Sequence, residues 1–378
     1  MKEFDYIILG GGLSGLSLAF ELNKQGCLKN KTLAILEKRK EYQKDKIWSY
    51  WDFNNNKFKS CIEKSWNYFT ITHNQQSITL PCEKSPYRSI NSQKFYKFII
   101  NNLNKNKNIH LIKNTKIVSV KKDVITTTNQ SYKTKYIFDS LIAGKKKSSM
   151  YQHFYGCEIE SAKDIFNSTN VQLMDFDCEQ NNGLHFFYIL PFSTKRALIE
   201  TTWYSKKIKA KNKYQEEINK YLLQKKILGK IKNEEFGAIP LYHFPVNNNS
   251  ANHIKIGTAG NMTRLSTGYT FQAIQTFSEN LAKQLKLKDT INLPLIRSIK
   301  YKFLDQILLS VIERNHRVMP KIFFHLFKNN TSKTVINFLC DRSNFIEDLK
   351  IIISMPKLIF LQNFFIYMYK SIFGIHNK

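Results

Sequence analysis

The chain has 378 residues, 42% of them hydrophobic and 13% aromatic, which is enough apolar mass for a core and excludes a disordered segment. Its 58 Lys and Arg residues against 29 Asp and Glu residues give a formal net charge of +29, which is typical of proteins that bind nucleic acid or an anionic membrane. Only 8 of the basic residues are Arg, on which phosphate and base recognition depends most, so we expect no nucleic-acid partner.

The six cysteines are scattered and form no C-x-x-C pair, and the histidines lack the spacing of metal ligands. The amino terminus has no basic start before its apolar run, unlike a signal peptide. No segment reaches the roughly 18 uncharged apolar residues that span a bilayer. We therefore expect a cytoplasmic protein without a metal site.

The first forty residues predict a strand, a helix and a second strand, that is, a βαβ unit. Residues 4–9 are apolar and β-branched, residues 13–26 have helical periodicity, and residues 31–38 form another apolar run. Further along, the pattern predicts a hairpin over 66–83, a helix over 95–106, strands over 109–144 and 154–203, a helix over 213–226, a strand over 253–260, and helices over 269–285 and from about residue 300.

The turn after the first predicted strand carries the pattern G-x-G-x-x-G, which binds the pyrophosphate of a dinucleotide at a helix N-terminus. The first glycine allows the tight turn, the second lets the backbone approach the phosphates, and the third lets helix and strand pack closely. An acid, Glu37, ends the second strand 22 residues after Gly15, close to the spacing of about 20 expected for a ribose ligand. The predicted cofactor residues here are Gly10, Gly11, Gly12, Leu13, Ser14, Gly15 and Glu37.

A second glycine cluster follows a late strand and precedes a long helix, at Gly257, Ala259 and Gly260. Flavoproteins with this type of domain bring such a late turn back to the cofactor, which favours FAD over NAD. Gly268 is a further candidate for the flavin site, because glycine permits close approach of the backbone.

These motifs together predict an α/β fold with a Rossmann-type FAD-binding domain, an inserted β-rich substrate domain and a helical C-terminal region. The expected boundaries are 1–60, 84–150 and 250–300 for the discontinuous FAD-binding domain, 61–83 and 151–249 for the β-rich domain, and 301–378 for the helical, membrane-proximal region.

Eight segments, in order and over about the first 315 residues, carry a resemblance to a known family. The chain resembles the lycopene cyclases of the bacterial lycopene β-cyclase type, within the larger class of flavoprotein hydroxylase folds. The most specific matches are LMD, LPF with LIETT, and STGYTF. The segments are DYIILGGGLSGLSLAFEL, WSYW, FYGCEIE, VQLMDF, FYILPFSTKRALIETTWYS, EEFGAIPL, GTAGNMTRLSTGYTFQAIQTF and FLDQILLSVI.

The resemblance implies a reaction that needs reduced FAD, with NAD(P)H as the reductant, yet has no net redox change. A proton adds to a linear ψ end of lycopene or a related linear carotenoid, the carbocation closes a ring, and proton loss gives the β-ionone ring of γ-carotene or β-carotene. The family's acid in the motif after the LPF strand corresponds to Glu200. One departure is Thr258, which stands where the family has an Asp.

A cyclisation through a carbocation requires an acid, a site without water and electron-rich walls. Glu200 lies in the apolar run RALIETTWY, where burial would raise its pKa, and the alternative is an edge-strand side chain in solvent. Glu235 and Asp175 are further candidate acids, and the alternative for Glu235 is an ordinary loop. The candidate substrate-binding aromatics are Trp48, Trp51 and Tyr269, and for Trp48 and Trp51 the alternative is a half-buried strand side chain.

The segment LIFLQNFFIYMY after Lys357 is apolar and aromatic. It predicts either buried helices or an interfacial segment whose aromatic face enters lipid. Our interpretation is a lycopene β-cyclase peripherally associated with the inner face of the membrane, with an anionic lipid surface as a partner. The alternatives are an FAD-dependent monooxygenase or isoprenoid reductase of the same fold, and a non-catalytic flavin-binding protein recruited to the membrane.

Overall fold

The computed structural model describes residues 1–53, 57–142, 150–245, 252–288, 291, 293 and 296–372. Within these ranges the chain forms three sheets, with helices concentrated after residue 270. The strands are β1 (Lys2–Leu9), β2 (Leu33–Leu36), β3 (Ile47–Trp51), β4 (Ile62–Trp66), β5 (Tyr68–His73), β6 (Gln76–Pro81), β7 (Tyr87–Asn91), β8 (Ile109–Ile112), β9 (Ile117–Lys121), β10 (Val124–Thr127), β11 (Ser131–Asp139), β12 (Tyr151–Glu160), β13 (Asn170–Asp175), β14 (Leu184–Pro191), β15 (Arg196–Ser205), β16 (Lys230–Pro240) and β17 (His253–Lys255). The helices are α1 (Leu13–Lys24), α2 (Ser92–Leu103), α3 (Lys211–Gln224), α4 (Phe271–Leu287), α5 (Ile299–Asn315), α6 (Met319–Lys328), α7 (Ser332–Leu339), α8 (Phe345–Ser354) and α9 (Lys357–Ile372).

The first sheet has the order β8-β2-β1-β11-β10-β9, with β17 beside β11. Its pairings are parallel except for the antiparallel edge made by β9 and β10. All four residues of β2 are buried, as expected for a parallel strand covered on both faces. α1 follows β1 directly and packs against α4, with Leu16, Leu22 and Leu281 in one apolar cluster. The predicted Rossmann-type α/β fold is confirmed, and the glycine turn lies between β1 and α1.

The second sheet has the order β16-β12-β15-β14-β13-β5-β6. Alternate side chains of β15 face opposite sides of this sheet. On one side, Ile199 and Trp203 pack in a cluster with Tyr214 of α3, whereas Leu198 and Tyr204 belong to a cluster shared with the C-terminal helices. The sheet therefore separates an outer layer formed by α3 from an inner space that the C-terminal helices cover.

A third, antiparallel sheet has the order β3-β7-β4. β4 lies in the range 61–83 that the sequence assigns to the β-rich domain, but it pairs with β7 and not with the second sheet. Residues 230–240, for which the sequence leaves a loop open, form β16 at the edge of the second sheet. Most of β16 is exposed, so it lacks the apolar alternation that identifies a strand from sequence.

The C-terminal helices are fixed to the rest of the chain by a buried ion pair. Arg264 Nε donates to Asp305 Oδ1 of α5 at 3.2 Å, and the Leu265 N–H donates to Asp305 Oδ2 at 3.2 Å. Both charged side chains are buried, where a lone charge would be costly, and each neutralises the charge of the other. The loop that carries Gly268 is therefore held against α5.

α8 and α9 carry large apolar side chains on their outer surface. In the segment after Lys357, Leu358 is 77% exposed and Phe365 is 64% exposed, so the first of the two alternatives, buried helices, does not describe the outer surface of α9. Among the described residues no single helix is long and apolar enough to cross a bilayer, although α8 and the part of α9 up to Tyr369, bent by 110° at their junction, pass that test as a pair.

Candidate active site

A cavity of about 590 Å³ lies between the glycine turns of the first sheet and the inner face of the second. One end is polar and is lined by backbone and side chains of the first βα turn, the segment before β3 and the loop before α4. The other end is apolar and is lined by α5, α6, α7 and the α8–α9 junction. Representative residues of the polar end are Gly12, Ser14, Arg39, Lys46, Gly257 and Thr258, and those of the apolar end are Leu308, Phe323, Leu326, Phe327, Phe338 and Met355.

The first glycine turn has the geometry that a dinucleotide requires. Gly10 has φ +94°, a conformation that favours glycine. A Cβ on Gly15 would fall on the Gly10 carbonyl oxygen, so the third glycine allows α1 to pack on β1. A Cβ on Gly12 would meet nothing within 4 Å, and Gly12 borders the cavity together with Leu13 and Ser14. The backbone at Gly12 therefore faces open space beside the N-terminus of α1, where an anion is stabilised.

Glu37 lies behind this turn and not at the cavity surface. Its oxygens accept hydrogen bonds from the N–H groups of Gly11 and Arg39, both at 2.8 Å, and from the Arg39 guanidinium at 3.1 Å. Burial alone would raise the pKa of Glu37, but the hydrogen bonds from Arg39 outweigh it and the pKa is lowered. The guanidinium of Arg39 also lies over the rings of Tyr42 and Tyr96 and lines the cavity. The sequence missed Arg39, because a charged residue just after a strand is usually solvated.

The second glycine cluster folds back against the first. Gly257 has φ +65°, and a Cβ there would lie 2.9 Å from Ser14 Cβ, so glycine allows the two turns to meet. Gly257 and Thr258 line the cavity. Ala259 and Gly260, also predicted to bind the cofactor, are buried in the turn and do not line the cavity. A Cβ on Gly260 would lie 2.4 Å from the Lys255 carbonyl oxygen, so the fold of the turn itself accounts for this glycine.

The loop before α4 brings the two sheets into contact. Gly268 has φ +72°, and a Cβ there would fall on the Gln152 side-chain oxygen of β12. Thr267, Gly268, Tyr269 and Thr270 all line the cavity. Gly268 thus lies at the cavity, where the first sheet meets the second, and this position is consistent with its prediction as a flavin-site residue.

The inner face of the second sheet forms the cavity floor in rows of directly opposed residues. Register places Glu200 of β15 between Tyr188 of β14 and Gly156 of β12, and Gly156 is opposite Glu235 of β16. The next two rows toward the end of β15 at Ser205 are aromatic and apolar, apart from Thr202 and Gln152. They are Phe186, Thr202, Phe154 and Gly237, and Leu184, Tyr204, Gln152 and Ile239.

Glu200 is the carboxyl that faces the cavity. It is only 8% exposed, and its Oε1 accepts a hydrogen bond from the Thr202 hydroxyl at 2.6 Å. Burial, followed by the nearby Glu235 carboxyl, raises the pKa of Glu200 well above its usual value. Glu235 does not line the cavity, but it reaches Glu200 across Gly156, and burial raises its pKa as well. The site thus contains an acid that stays protonated where an ordinary Glu would be ionised.

Asp175 is not part of this site. It lies at the end of β13 and accepts a hydrogen bond from the Tyr221 hydroxyl at 2.7 Å, with Lys225 Nζ at 2.9 Å. Both partners belong to α3 or its C-terminal end, on the outer side of the sheet. The structure therefore does not support the prediction that Asp175 is catalytic, because its carboxylate is held by structural partners away from the cavity.

Two of the three predicted substrate-binding aromatics line the main cavity and the third does not. Trp48 and Tyr269 line the cavity, whereas Trp51 is fully buried beside Phe69 and Tyr87 and borders a second cavity of about 310 Å³. Tyr269 borders both cavities.

Sequence reasoning missed two further tyrosines. Tyr188 donates a hydrogen bond to the Tyr87 hydroxyl at 2.9 Å, and both line the cavity. Only the register of β14 against β15, which no local pattern encodes, places Tyr188 beside Glu200.

Comparisons with solved structures define the class of fold. A geranylgeranyl bacteriochlorophyll reductase-like protein from Thermoplasma acidophilum matches with a TM-score of 0.63 and 12% identity, over 96% of this chain and 98% of that one. PqsL, a probable FAD-dependent monooxygenase from Pseudomonas aeruginosa, matches with a TM-score of 0.58 and 12% identity, over 84% and 97%. p-Nitrophenol 4-monooxygenase from Pseudomonas putida matches with a TM-score of 0.54 and 12% identity, over 96% and 99%. The chain has the fold of FAD-dependent monooxygenases and geranylgeranyl reductases.

The family is narrower than the fold. The lycopene cyclase protein family matches residues 5–363, nearly the whole chain, so the protein belongs to that family. The resemblance read from the sequence motifs is confirmed. No curated protein matches the chain significantly.

Proposed function

We propose that the protein is a lycopene β-cyclase, which converts a linear ψ end group into a β-ionone ring by acid-initiated cyclisation. The observation that carries this proposal is Glu200, a buried carboxyl with a raised pKa on the floor of a cavity with aromatic and apolar walls. A carbocation reaction needs such an acid, protonated near neutral pH, in a site that excludes water.

The polar end of the cavity fits FAD. The open space at Gly12, the N-terminus of α1 and the turn at Gly257 would hold the pyrophosphate, and Arg39 lies where an adenosine half would enter. Reduced FAD would supply an electron-rich ring that stabilises a nearby cation, with NAD(P)H as its reductant. Thr258 occupies the place of the family's Asp, and its hydroxyl lies 3.1 Å from that of Thr263, so this turn presents a hydroxyl in place of a carboxylate.

The chain's own residues account for the proton steps. Glu200 is placed to donate its proton to the terminal double bond of the polyene, while the Thr202 hydroxyl stabilises the carboxylate that remains. Tyr188 and Phe186 present ring systems next to Glu200 and Thr202, and aromatic faces attract a cation. Loss of a ring proton to a carboxylate restores the acid, so no net proton is consumed.

Production of the protein in cells that accumulate lycopene tests this function. We expect extracted pigment to shift from lycopene to β-carotene, or to γ-carotene if one end is cyclised. NAD(P)H consumption equal to product would favour the monooxygenase or reductase alternative, whose members share the fold. Unchanged lycopene, with the protein folded and loaded with flavin, would overturn the proposal.

We also propose that the protein is cytoplasmic and lies on the inner membrane surface through α8 and α9. The C-terminal apolar surface comprises Phe345, Ile346, Leu349, Ile352, Ile353, Leu358, Leu361, Phe365, Met368, Tyr369 and Ile372, all at least 36% exposed. Lys350 and Lys357 are also exposed there, beside the apolar side chains. Met355, at the junction of the two helices, lines the cavity, so the apolar surface continues into the site. A lipid-dissolved hydrocarbon would enter there without crossing water.

Vesicle binding checks the membrane proposal. Replacing Leu358 and Phe365 together by Glu should weaken binding to anionic vesicles at least about tenfold, because two exposed apolar side chains that would enter the lipid are lost. Leu228→Glu is the matched control: Leu228 is 80% exposed but lies outside α8 and α9. Steep loss of binding with salt would assign the main contribution to lysines, and equal binding by all three proteins would contradict the proposal.

A further inference from the structure

Gly156 occupies the middle of the row that holds both carboxyls. It is directly opposite Glu200 on one side and Glu235 on the other, so the three residues share one face of the sheet. Neighbouring strands are about 4.8 Å apart, so residues two strands apart are separated by roughly 10 Å at the backbone. A side chain on the middle strand would normally fill the gap between them. Here that side chain is a hydrogen.

The Glu235 side chain extends into the space that a side chain at Gly156 would occupy. A Cβ on Gly156 would lie 3.2 Å from Glu235 Cγ, 3.4 Å from Glu235 Oε1 and 3.0 Å from Leu198 Cδ1. Glu235 therefore lies across the backbone of Gly156, in the space of a missing methyl group. Gly156 does not have a positive φ, so its backbone does not require glycine. What the position requires is room for a neighbouring side chain.

The charged groups around the pair favour one negative charge on it. The positive charge of Lys46, which lines the cavity, lowers the pKa of both carboxyls, and the positive charge of Lys44 lowers the pKa of Glu235. Glu158 lies two residues beyond Gly156 on the same face, and its negative charge raises the pKa of Glu235. That charge is compensated by Lys44 at 2.6 Å and Arg196 at 2.7 Å. Tyr188, opposite Glu200, is neutral, because a phenol is not ionised near neutral pH and burial raises the pKa of its hydroxyl further.

We propose that Gly156 is a positioning residue that lets Glu235 share one proton with Glu200, so that a single carboxyl pair serves as both the acid and the base of the reaction. The inference rests on the proposed cyclisation. The O–H bond of Glu200 breaks as the electron pair of the terminal double bond forms the new C–H bond. The proton released when the ring double bond forms returns to a carboxylate oxygen of the pair. Two like-charged groups in one site hold such a proton more tightly than either would alone.

The test is Gly156→Ala, alone and combined with Glu235→Gln. The added methyl group displaces Glu235, so the pKa of Glu200 should fall by about one unit or more. Since cyclisation needs protonated Glu200, its rate should then be lost at correspondingly lower pH than in the wild type. In the Glu235→Gln background Gly156→Ala should cause no further shift, because the pair is already broken. An equal shift in both backgrounds, or none in either, would overturn the proposal.

Two additions keep the test decisive. Glu235→Asp shortens the side chain by one methylene without touching Gly156, and it should lower the pKa of Glu200 in the same direction. Infrared titration of the carboxyl C=O band, on flavin-loaded enzyme without polyene, reports the pair directly. A wild type that shows the raised carboxyl titration but does not cyclise lycopene would refute the proposed function and leave the pair standing. Cyclisation without a raised titration would refute the pair alone.

Discussion

Replacing Glu200 by Gln is expected to abolish ring formation while the protein keeps its flavin. Gln has nearly the same volume and still accepts the hydrogen bond that the Thr202 hydroxyl donates at 2.6 Å, so the cavity floor should stay intact. The amide has no acidic proton to transfer to an alkene. General acid catalysis contributes about 10²- to 10⁴-fold to a rate, and we expect at least about 10³-fold here because no water replaces the acid in a dry site. Pigment chromatography and the ratio of flavin to protein absorbance measure both parts.

Glu234→Gln is the matched control for this variant. Glu234 neighbours Glu235 in β16 but points away from the pair, and its carboxylate contacts Lys211 Nζ at 2.7 Å on the exposed side. The side-chain hydrogen bond from Lys211 lowers the pKa of Glu234, in contrast to Glu200. The control should therefore cyclise at close to the wild-type rate. Retained cyclisation by Glu200→Gln would remove Glu200 from the mechanism.

The sequence was most informative where local rules decide the structure. β1, α1 and β2 follow from an apolar run, a glycine turn and helical periodicity, and all three elements are present. The role of Gly15 follows equally well, because its Cβ would fall on the Gly10 carbonyl oxygen in the strand–turn–helix geometry that the motif encodes.

The sequence was least informative where pairing across the sheet decides the structure. Glu200 and Asp175 are both acids in apolar strands, yet one faces the cavity and the other faces α3. Strand alternation says that neighbours face opposite ways, but not which face is inside. The meeting of Glu235 with Glu200 depends on the register of three strands drawn from residues 151–240. No local pattern encodes that register.

Trp51 shows the same limit on a smaller scale. The sequence predicted that both tryptophans of WSYW bind substrate, but Trp48 and Trp51 lie an odd number of positions apart in β3 and so face opposite ways. Trp48 lines the main cavity, whereas Trp51 packs against Phe69 and Tyr87. The aromatic composition of WSYW indicates that its side chains are largely buried. Which of the two indole rings lines the main cavity depends on the alternation of side chains along β3.

The two glycines that flank α1, Gly12 and Gly26, allow flavin binding and stability to be tested separately, because a Cβ would meet nothing within 4 Å at either position. At Gly12 the backbone is extended, with φ −82°, so Ala adds no strain but places a methyl group where the pyrophosphate must approach. Gly12→Ala should weaken flavin binding at least about tenfold, roughly 1.4 kcal/mol, with an unchanged unfolding midpoint of the flavin-free protein. Gly26 has φ +76° beyond the C-terminus of α1, so Gly26→Ala should cost about 1–2 kcal/mol of stability and leave flavin affinity unchanged. Flavin titration and thermal unfolding of both variants measure the two effects. Equal flavin affinity in Gly12→Ala and the wild type would show that this turn does not hold the cofactor.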